Sequence, residues 1–240
     1  MKNIKEKENQ IIFTADIDET LANAIRRYLN QIPVLAVDEV EISKNDSPLY
    51  DETISHMIGL IPLKMSKSVN EKTEYKIDLN TKKEGMIYSE ELKGEVKPVY
   101  DKIPITSLKK GQELELVGFV KAGKGSDHSK FSPGLMFYRN IFEVKVDKEC
   151  PKEAVEVCPQ DVFKIKDGKV VVEDESKCDM CEACIEFCQK RKKDSIEIKP
   201  KNELLITLES FGQLEPKNIF EKSIEVLKKD LELFSKKVSK

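Results

Sequence analysis

Leu21-Ala22-Asn23-Ala24-Ile25-Arg26-Arg27-Tyr28-Leu29, continued by Ile32-Pro33-Val34-Leu35-Ala36-Val37-Asp38-Glu39-Val40-Glu41-Ile42, is the stretch on which the fold turns. Leu21, Ala24, Ile25, Tyr28, Leu29 and Ile32 recur at helical spacing and make one apolar face. Asn23, Arg26, Arg27 and Asn30 form a polar stripe on the other side. Asp16 or Asp18 can cap this helix through its carboxylate, and Glu19 sits in the first turn, where the aligned peptide dipoles favour a negative charge. Pro33 disfavours helical geometry at Ile32, so the helix ends there. Gln10-Ile11-Ile12-Phe13-Thr14 reads as a strand before the helix, and Glu39-Val40-Glu41-Ile42-Ser43 alternates like a half-buried strand after it.

A lone strand and helix cannot close a core, so complementary elements are expected elsewhere. They stand at the other end of the chain. Glu203-Leu204-Leu205-Ile206-Thr207-Leu208-Glu209 has strong strand composition, Gly212 and Pro216 punctuate, and a long helix follows. Phe220, Ile224, Leu227, Leu231, Phe234 and Val238 are spaced four, three, four, three and four residues apart. That seam suits packing within the monomer or against a partner helix, and its narrowness favours the partner.

The two opening segments, with the later His56-Met57-Ile58-Gly59-Leu60-Ile61-Pro62-Leu63, resemble the signature of the RNA polymerase alpha-type assembly subunits. The resemblance implies that the first helix belongs to a dimerisation domain whose polar side faces the large catalytic subunits. Asn23, Arg26 and Arg27 then become large-subunit contacts. The C-terminal seam, Phe220 to Val238, becomes the dimer interface.

Residues 65–145 read as a mostly β insertion: Tyr75–Leu79 and Phe142–Val146 alternate, and Val117–Val120 is a short apolar run. Gly118-Phe119-Val120-Lys121-Ala122-Gly123-Lys124-Gly125-Ser126 nearly matches a phosphate-binding loop. It fails where Gly125 replaces the hydroxyl residue that would hold Mg²⁺, and no apolar helix follows. His56 and His128 lie far apart, and neither stands beside a nucleophile motif. No catalytic apparatus of the chain's own is visible.

Composition narrows the class. The chain has 240 residues, 35% charged and 39% hydrophobic, no Trp, and a net charge of −3, without the basic excess expected of a chain that binds nucleic acid by itself. Met1–Glu8 lacks the apolar core of a signal peptide, and no uninterrupted apolar run approaches the ~18 residues of a membrane span. A cytoplasmic location is expected, where clustered cysteines are metal ligands sooner than structural disulfides.

Four of the six cysteines fall in Cys178-Asp179-Met180-Cys181-Glu182-Ala183-Cys184-Ile185-Glu186-Phe187-Cys188, the C-x₂-C-x₂-C-x₃-C spacing of bacterial-type ferredoxins. Val155-Glu156-Val157-Cys158-Pro159 aligns with Ile185–Gln189 at an offset of thirty residues, and Val162–Ile165 and Ser195–Ile198 follow as corresponding strands. Three of the earlier half's ligand positions hold Lys148, Pro151 and Ala154 instead of cysteine. In two-cluster ferredoxins the fourth cysteine of each motif serves the other cluster. One iron–sulfur cluster is therefore expected on Cys158, Cys178, Cys181 and Cys184, either [4Fe–4S] or [3Fe–4S], with Cys188 the less favoured ligand. Cys150 and Cys188 are expected as neighbouring thiols, free or bridged. Local ligation by Cys178, Cys181, Cys184 and Cys188, and a tetrahedral Zn²⁺, stay open as alternatives.

The expected fold is α+β. A discontinuous alpha-type dimerisation domain occupies 1–45 and 202–240, a mostly β insert 46–146, and a ferredoxin-like subdomain 147–200. With that insert, the chain resembles the archaeal branch of the alpha-like family. This implies pairing with the small alpha-like subunit L, contact with the small zinc-binding subunits N and P, and nucleation of the large catalytic subunits, where the nucleotidyl transfer lies. The cluster would staple a small insert, and its coupling of assembly to redox state is a further expectation. The rival is an electron-transfer subunit of an oxidoreductase complex. Against it stand the missing second cluster, the absence of a flavin or nicotinamide fingerprint, and the signature at 21–63. A DNA-binding regulator lacks a basic recognition helix, and Lys190-Arg191-Lys192-Lys193 reads as a solvated charge run.

Overall fold

The computed structural model describes residues 2–65 and 74–239; residues 1, 66–73 and 240, which the expected domain bounds include, lie outside the described residues. The chain runs β1 (Lys2–Lys7), β2 (Gln10–Ala15), α1 (Glu19–Tyr28), β3 (Val34–Asn45), α2 (Asp51–Gly59), β4 (Glu74–Thr81), β5 (Gly85–Tyr88), β6 (Lys93–Gly94), β7 (Pro104–Leu108), β8 (Leu114–Gly123) and β9 (Gly134–Val146). Then come α3 (Ala154–Val157), β10 (Phe163–Lys166), β11 (Lys169–Val172), α4 (Ala183–Lys190), β12 (Ile196–Ser210) and α5 (Pro216–Val238). Helices and sheets are mixed, as α+β requires. One four-stranded sheet has the order β1-β2-β12-β9 and another β3-β8-β4-β6, with two-stranded pairs β5-β7 and β10-β11.

The chain divides into two compact units, Met1–Lys5 with Ile12–Ala22 and Tyr138–Thr207, and Glu6–Ile11 with Asn23–Phe137 and Leu208–Lys240. These bounds differ from those expected. The break foreseen at 45/46 is absent because β3 pairs antiparallel with β8 from Val34↔Gly123 to Asn45↔Leu114. The apolar end of β3, Val34 to Val37, is fully buried, so β3 belongs to the core of that sheet. The break foreseen near 200 is absent because β12 runs unbroken through it, despite Pro200.

In the larger unit, β4 continues the sheet along β8 from Glu74↔Lys121 to Thr81↔Leu114. Ile54 and Ile58, one turn apart on α2, are fully buried in a core with Leu35, Val37, Ile77, Leu79, Leu116 and Val120. Gly118 sits in mid-strand on β8, where a Cβ would meet Ile77 and Val37 side chains at 3.0 and 3.1 Å. This position packs a sheet and cradles no phosphate. In the smaller unit, Phe142, Val144, Val162, Phe163, Val170 and Ile196 form a core that also takes in Cys150, Cys158, Cys178, Cys184 and Cys188.

Candidate metal centre and assembly surfaces

The cysteine site is built from two short helices and a loop. The α3 turn ends at Cys158, whose backbone is extended. Cys184 and Cys188 lie one turn apart on α4, which packs against α3. Between Cys178 and Cys184 the chain takes left-handed backbone at Met180 (φ 58°) and Glu182 (φ 61°), an unusual choice for side-chain-bearing residues. Those two reversals flank Cys181 and leave it exposed while Cys158, Cys178 and Cys184 are buried. Gln160 Nε2 donates to Asp179 Oδ2 at 3.0 Å, tying the segment after Cys158 to the loop.

Two thiol neighbourhoods result. Cys184 is influenced electrostatically by Cys158, Cys178 and Cys181, and Cys178 by Cys158 and Cys181. Burial pushes the Cys184 thiol up to about 11, with Cys158 adding and the Ile185 N–H opposing. Burial also raises Cys178, and the Met180 N–H opposes it. Burial first, then the Cys188 sulfur with Cys184 adding, push the Cys150 thiol up to about 12, and its Sγ donates to the Pro151 carbonyl oxygen at 3.7 Å. All six are free thiols. Among the described residues no three Cys, His, Asp or Glu side chains converge tightly enough to grip a single metal ion.

The donor set suits an iron–sulfur cluster chemically. Burial disfavours ionisation of the Cys178 and Cys184 thiols, and a multiply charged cation beside them would favour it. Backbone N–H groups already aimed at Cys178 and Cys184 stabilise the thiolates once formed.

The first helix is capped by Asp18, not Asp16: Leu21 N–H donates to Asp18 Oδ1 at 2.7 Å. Its buried residues are Ala22 and Ile25, with Leu29 and Ile32 beyond its end, whereas Leu21 is 43% exposed. Ile25, Leu29 and Ile32 of the expected stripe are thus buried, and Ala22 takes the place of Leu21. Arg26 and Arg27 are exposed. Asn23 Oδ1 accepts from Arg26 Nε and Nη2 at 3.3 and 2.9 Å, which holds the guanidinium along the helix. Asn30, read with the polar stripe, instead serves its own chain. It accepts from Ser126 N–H at 3.1 Å and, through Oδ1, from Ser132 Oγ at 2.9 Å, fixing the Lys124–Ser132 loop.

The seam on α5 splits along its length. Ile219, Phe220 and Ser223 are buried, so Phe220 packs within its own unit and drops out of the exposed seam. Leu227 is half-buried. Burial first, then the neighbouring Asp230 of the helix, raise the Tyr28 hydroxyl above its ordinary value. Past Asp230, Leu231, Phe234 and Val238 are 58%, 66% and 68% exposed, and Ile224 is 40% exposed. Sequence reading missed β1, whose residues are mostly charged and all exposed, and α2, which underlies His56–Gly59.

Among the described residues no helix is long and apolar enough to cross a membrane. A family model described as the RNA polymerase Rpb3/Rpb11 dimerisation domain matches residues 12–231. The DNA-directed RNA polymerase subunit Rpo3 of Methanosphaera stadtmanae is 30% identical over 254 aligned positions, covering 93% of this chain and 92% of its own length. That of Thermococcus kodakarensis is 38% identical over 162 positions, 62% of each chain. The DNA-directed RNA polymerases I and III subunit rpac1 of Dictyostelium discoideum is 26% identical, over 99% of this chain and 81% of its own. With the match taking in both terminal segments and everything between, the chain belongs to the RNA polymerase Rpb3/Rpb11 dimerisation-domain family.

Proposed function

We propose that this chain is the non-catalytic assembly subunit of an archaeal-type DNA-dependent RNA polymerase. The observation that carries the reading is the distal half of α5, an apolar helix face on which Leu231, Phe234 and Val238 are left exposed. Large exposed apolar surfaces of this kind are covered in a working complex. Ile224, Leu227, Leu231, Phe234 and Val238 pair with the small alpha-like subunit L, and the exposed Arg26 and Arg27, positioned by Asn23, meet a large catalytic subunit. The small subunits N and P complete the platform. Nucleotidyl transfer belongs to the large subunits.

Cys158, Cys178, Cys181 and Cys184 hold one iron–sulfur cluster, [4Fe–4S] in its complete form. When bound, the cluster crosslinks the α3 turn, the Cys178–Cys184 loop and α4, segments whose shared core is small. The chain's own part is to place the four sulfurs and direct N–H groups at two of them.

Purifying the tagged chain from its host tests the function. Both large polymerase subunits and a small alpha-like partner are expected to co-elute. Elution alone, or with a redox enzyme and no polymerase, overturns the reading.

A further inference from the structure

Ser132 joins two surfaces of the larger unit. Its Oγ donates to Asn30 Oδ1 at 2.9 Å, just past the end of α1, and its carbonyl oxygen accepts from Gln213 Nε2 at 3.4 Å. Ser132 and Gln213 both line a pocket of about 400 Å³. Leu60, Tyr100 and Phe211, from three separate segments, line it too and are 50%, 40% and 44% exposed. Each of the three is fixed from its own side. Leu60 N–H donates to the His56 and Met57 carbonyls at 3.3 and 3.2 Å, where α2 ends. Asn9 Nδ2 donates to the Tyr100 hydroxyl at 3.0 Å, and Phe211 N–H to the Pro133 carbonyl at 3.1 Å. Gly212 follows at φ 100°, where a Cβ would meet Val99 Cγ1 at 2.6 Å and the Tyr100 hydroxyl oxygen at 2.9 Å. The turn into α5 therefore packs hard against Tyr100.

Two features say what the pocket takes. Lys130 lines it, but its charge is already answered by Asp38 Oδ1 at 2.6 Å. Gln213 is 7% exposed, and its Oε1 is buried with no donor among the described residues, a cost that a partner's donor relieves. Exposed large apolar side chains around a buried polar group are the anatomy of a protein contact with one anchoring residue. A rim already fixed loses little freedom on binding. We propose that this pocket receives one uncharged apolar or aromatic residue of a large catalytic subunit, with an N–H that donates to Gln213 Oε1. The pocket thereby extends the contact assigned to Arg26 and Arg27, and the proposal rests on that assignment, since Ser132 and Asn30 carry its wall to the polar stripe of α1.

The test uses assembled polymerase in which Leu60 is replaced by the photocrosslinking residue p-benzoylphenylalanine. The expected crosslink runs to an apolar residue of a large catalytic subunit, mapped by mass spectrometry. A crosslink to a small subunit, to a second copy of this chain, or to nothing overturns the proposal. In parallel, Phe211→Ala and Gln213→Leu chains are paired with the small alpha-like subunit and then offered the large subunits. Both should keep the wild-type circular dichroism and pair normally, and then bind the large subunits about tenfold more weakly. Gln213→Leu should melt no lower than wild type, because it removes a buried acceptor that has no donor. A lower melting temperature with full-strength binding assigns Gln213 to the chain's own packing and overturns the proposal. Arg26→Glu keeps the two readings apart. If it alone weakens binding, the pocket falls and the α1 contact stands; if neither it nor the pocket variants do, both fall.

Discussion

Asp38 shows how a single residue ties two segments of the larger unit together. Its carboxylate accepts from Lys130 Nζ at 2.6 Å and from Lys121 Nζ at 3.3 Å, linking β3 to β8 and to the turn before β9. The Lys130 hydrogen bond holds the Asp38 carboxyl below its ordinary value, against partial burial, which works the other way. A carboxyl depressed in the folded chain contributes stability above its unfolded value, about 3.9, and loses it as pH falls through the lower folded value. The side chain is 31% exposed, so the contribution is expected to stay under about 1 kcal/mol. Asp38→Asn should therefore lower the urea midpoint at neutral pH, and the difference from wild type should shrink toward zero near pH 3. A gap that persists at low pH would mean the loss is steric. Residue-level reading from sequence did well where chemistry was local and poorly where it was not. Either Asp16 or Asp18 could cap a helix, and only the backbone path selected Asp18. Asn30 was illegible, because its partners Ser126 and Ser132 lie about a hundred residues away.

At the scale of the element, α5 is one helix with two environments. Its sequence period is uniform, since residues spaced four and three apart mark a single face and say nothing of what covers it. Burial separates the halves: Phe220 is 6% exposed and Phe234 66%. Phe220→Ala is expected to cost about 3–5 kcal/mol in chemical denaturation, the usual range for emptying a buried aromatic site. Phe234→Glu should leave monomer stability within about 0.5 kcal/mol, yet abolish pairing with the small alpha-like subunit in a pull-down. If Phe234→Glu destabilised the isolated chain as much as Phe220→Ala, the distal face would be packing within the monomer. The same limit on periodicity explains other differences. The strand near 196 and the strand near 204 were read apart because Pro200 and a run of polar residues interrupt the apolar pattern. The backbone continues through them as β12. On α1 the stripe was read correctly at Ile25, Leu29 and Ile32 and missed only its first position, where Ala22 is buried and Leu21 exposed. β1 escaped notice because its six residues are all exposed and only Ile4 among them is apolar, too little for an alternating signal.

For the molecule as a whole, the α+β class was readable because strand and helix patterns both recur along the chain. The unit bounds were not, because strand pairing decides them: β3 is held by β8 some eighty residues later. In the larger unit the distal face of α5 and Arg26 and Arg27 on α1 are exposed, and if both serve assembly as proposed they should fail independently. Arg26 is exposed and lies along its helix against Asn23, so reversing its charge removes no core contact. Arg26→Glu is expected to fold normally by circular dichroism and to pair normally with the small alpha-like subunit. It should then bind the large catalytic subunits about tenfold more weakly or worse, since a like charge set against a complementary surface is costly. The measurement is stepwise reconstitution, with the two-chain complex isolated first and the large subunits added after. Loss of pairing at the first step would move Arg26 into the dimer interface. Full-strength binding at the second would remove this side of α1 from the contact with the large subunits.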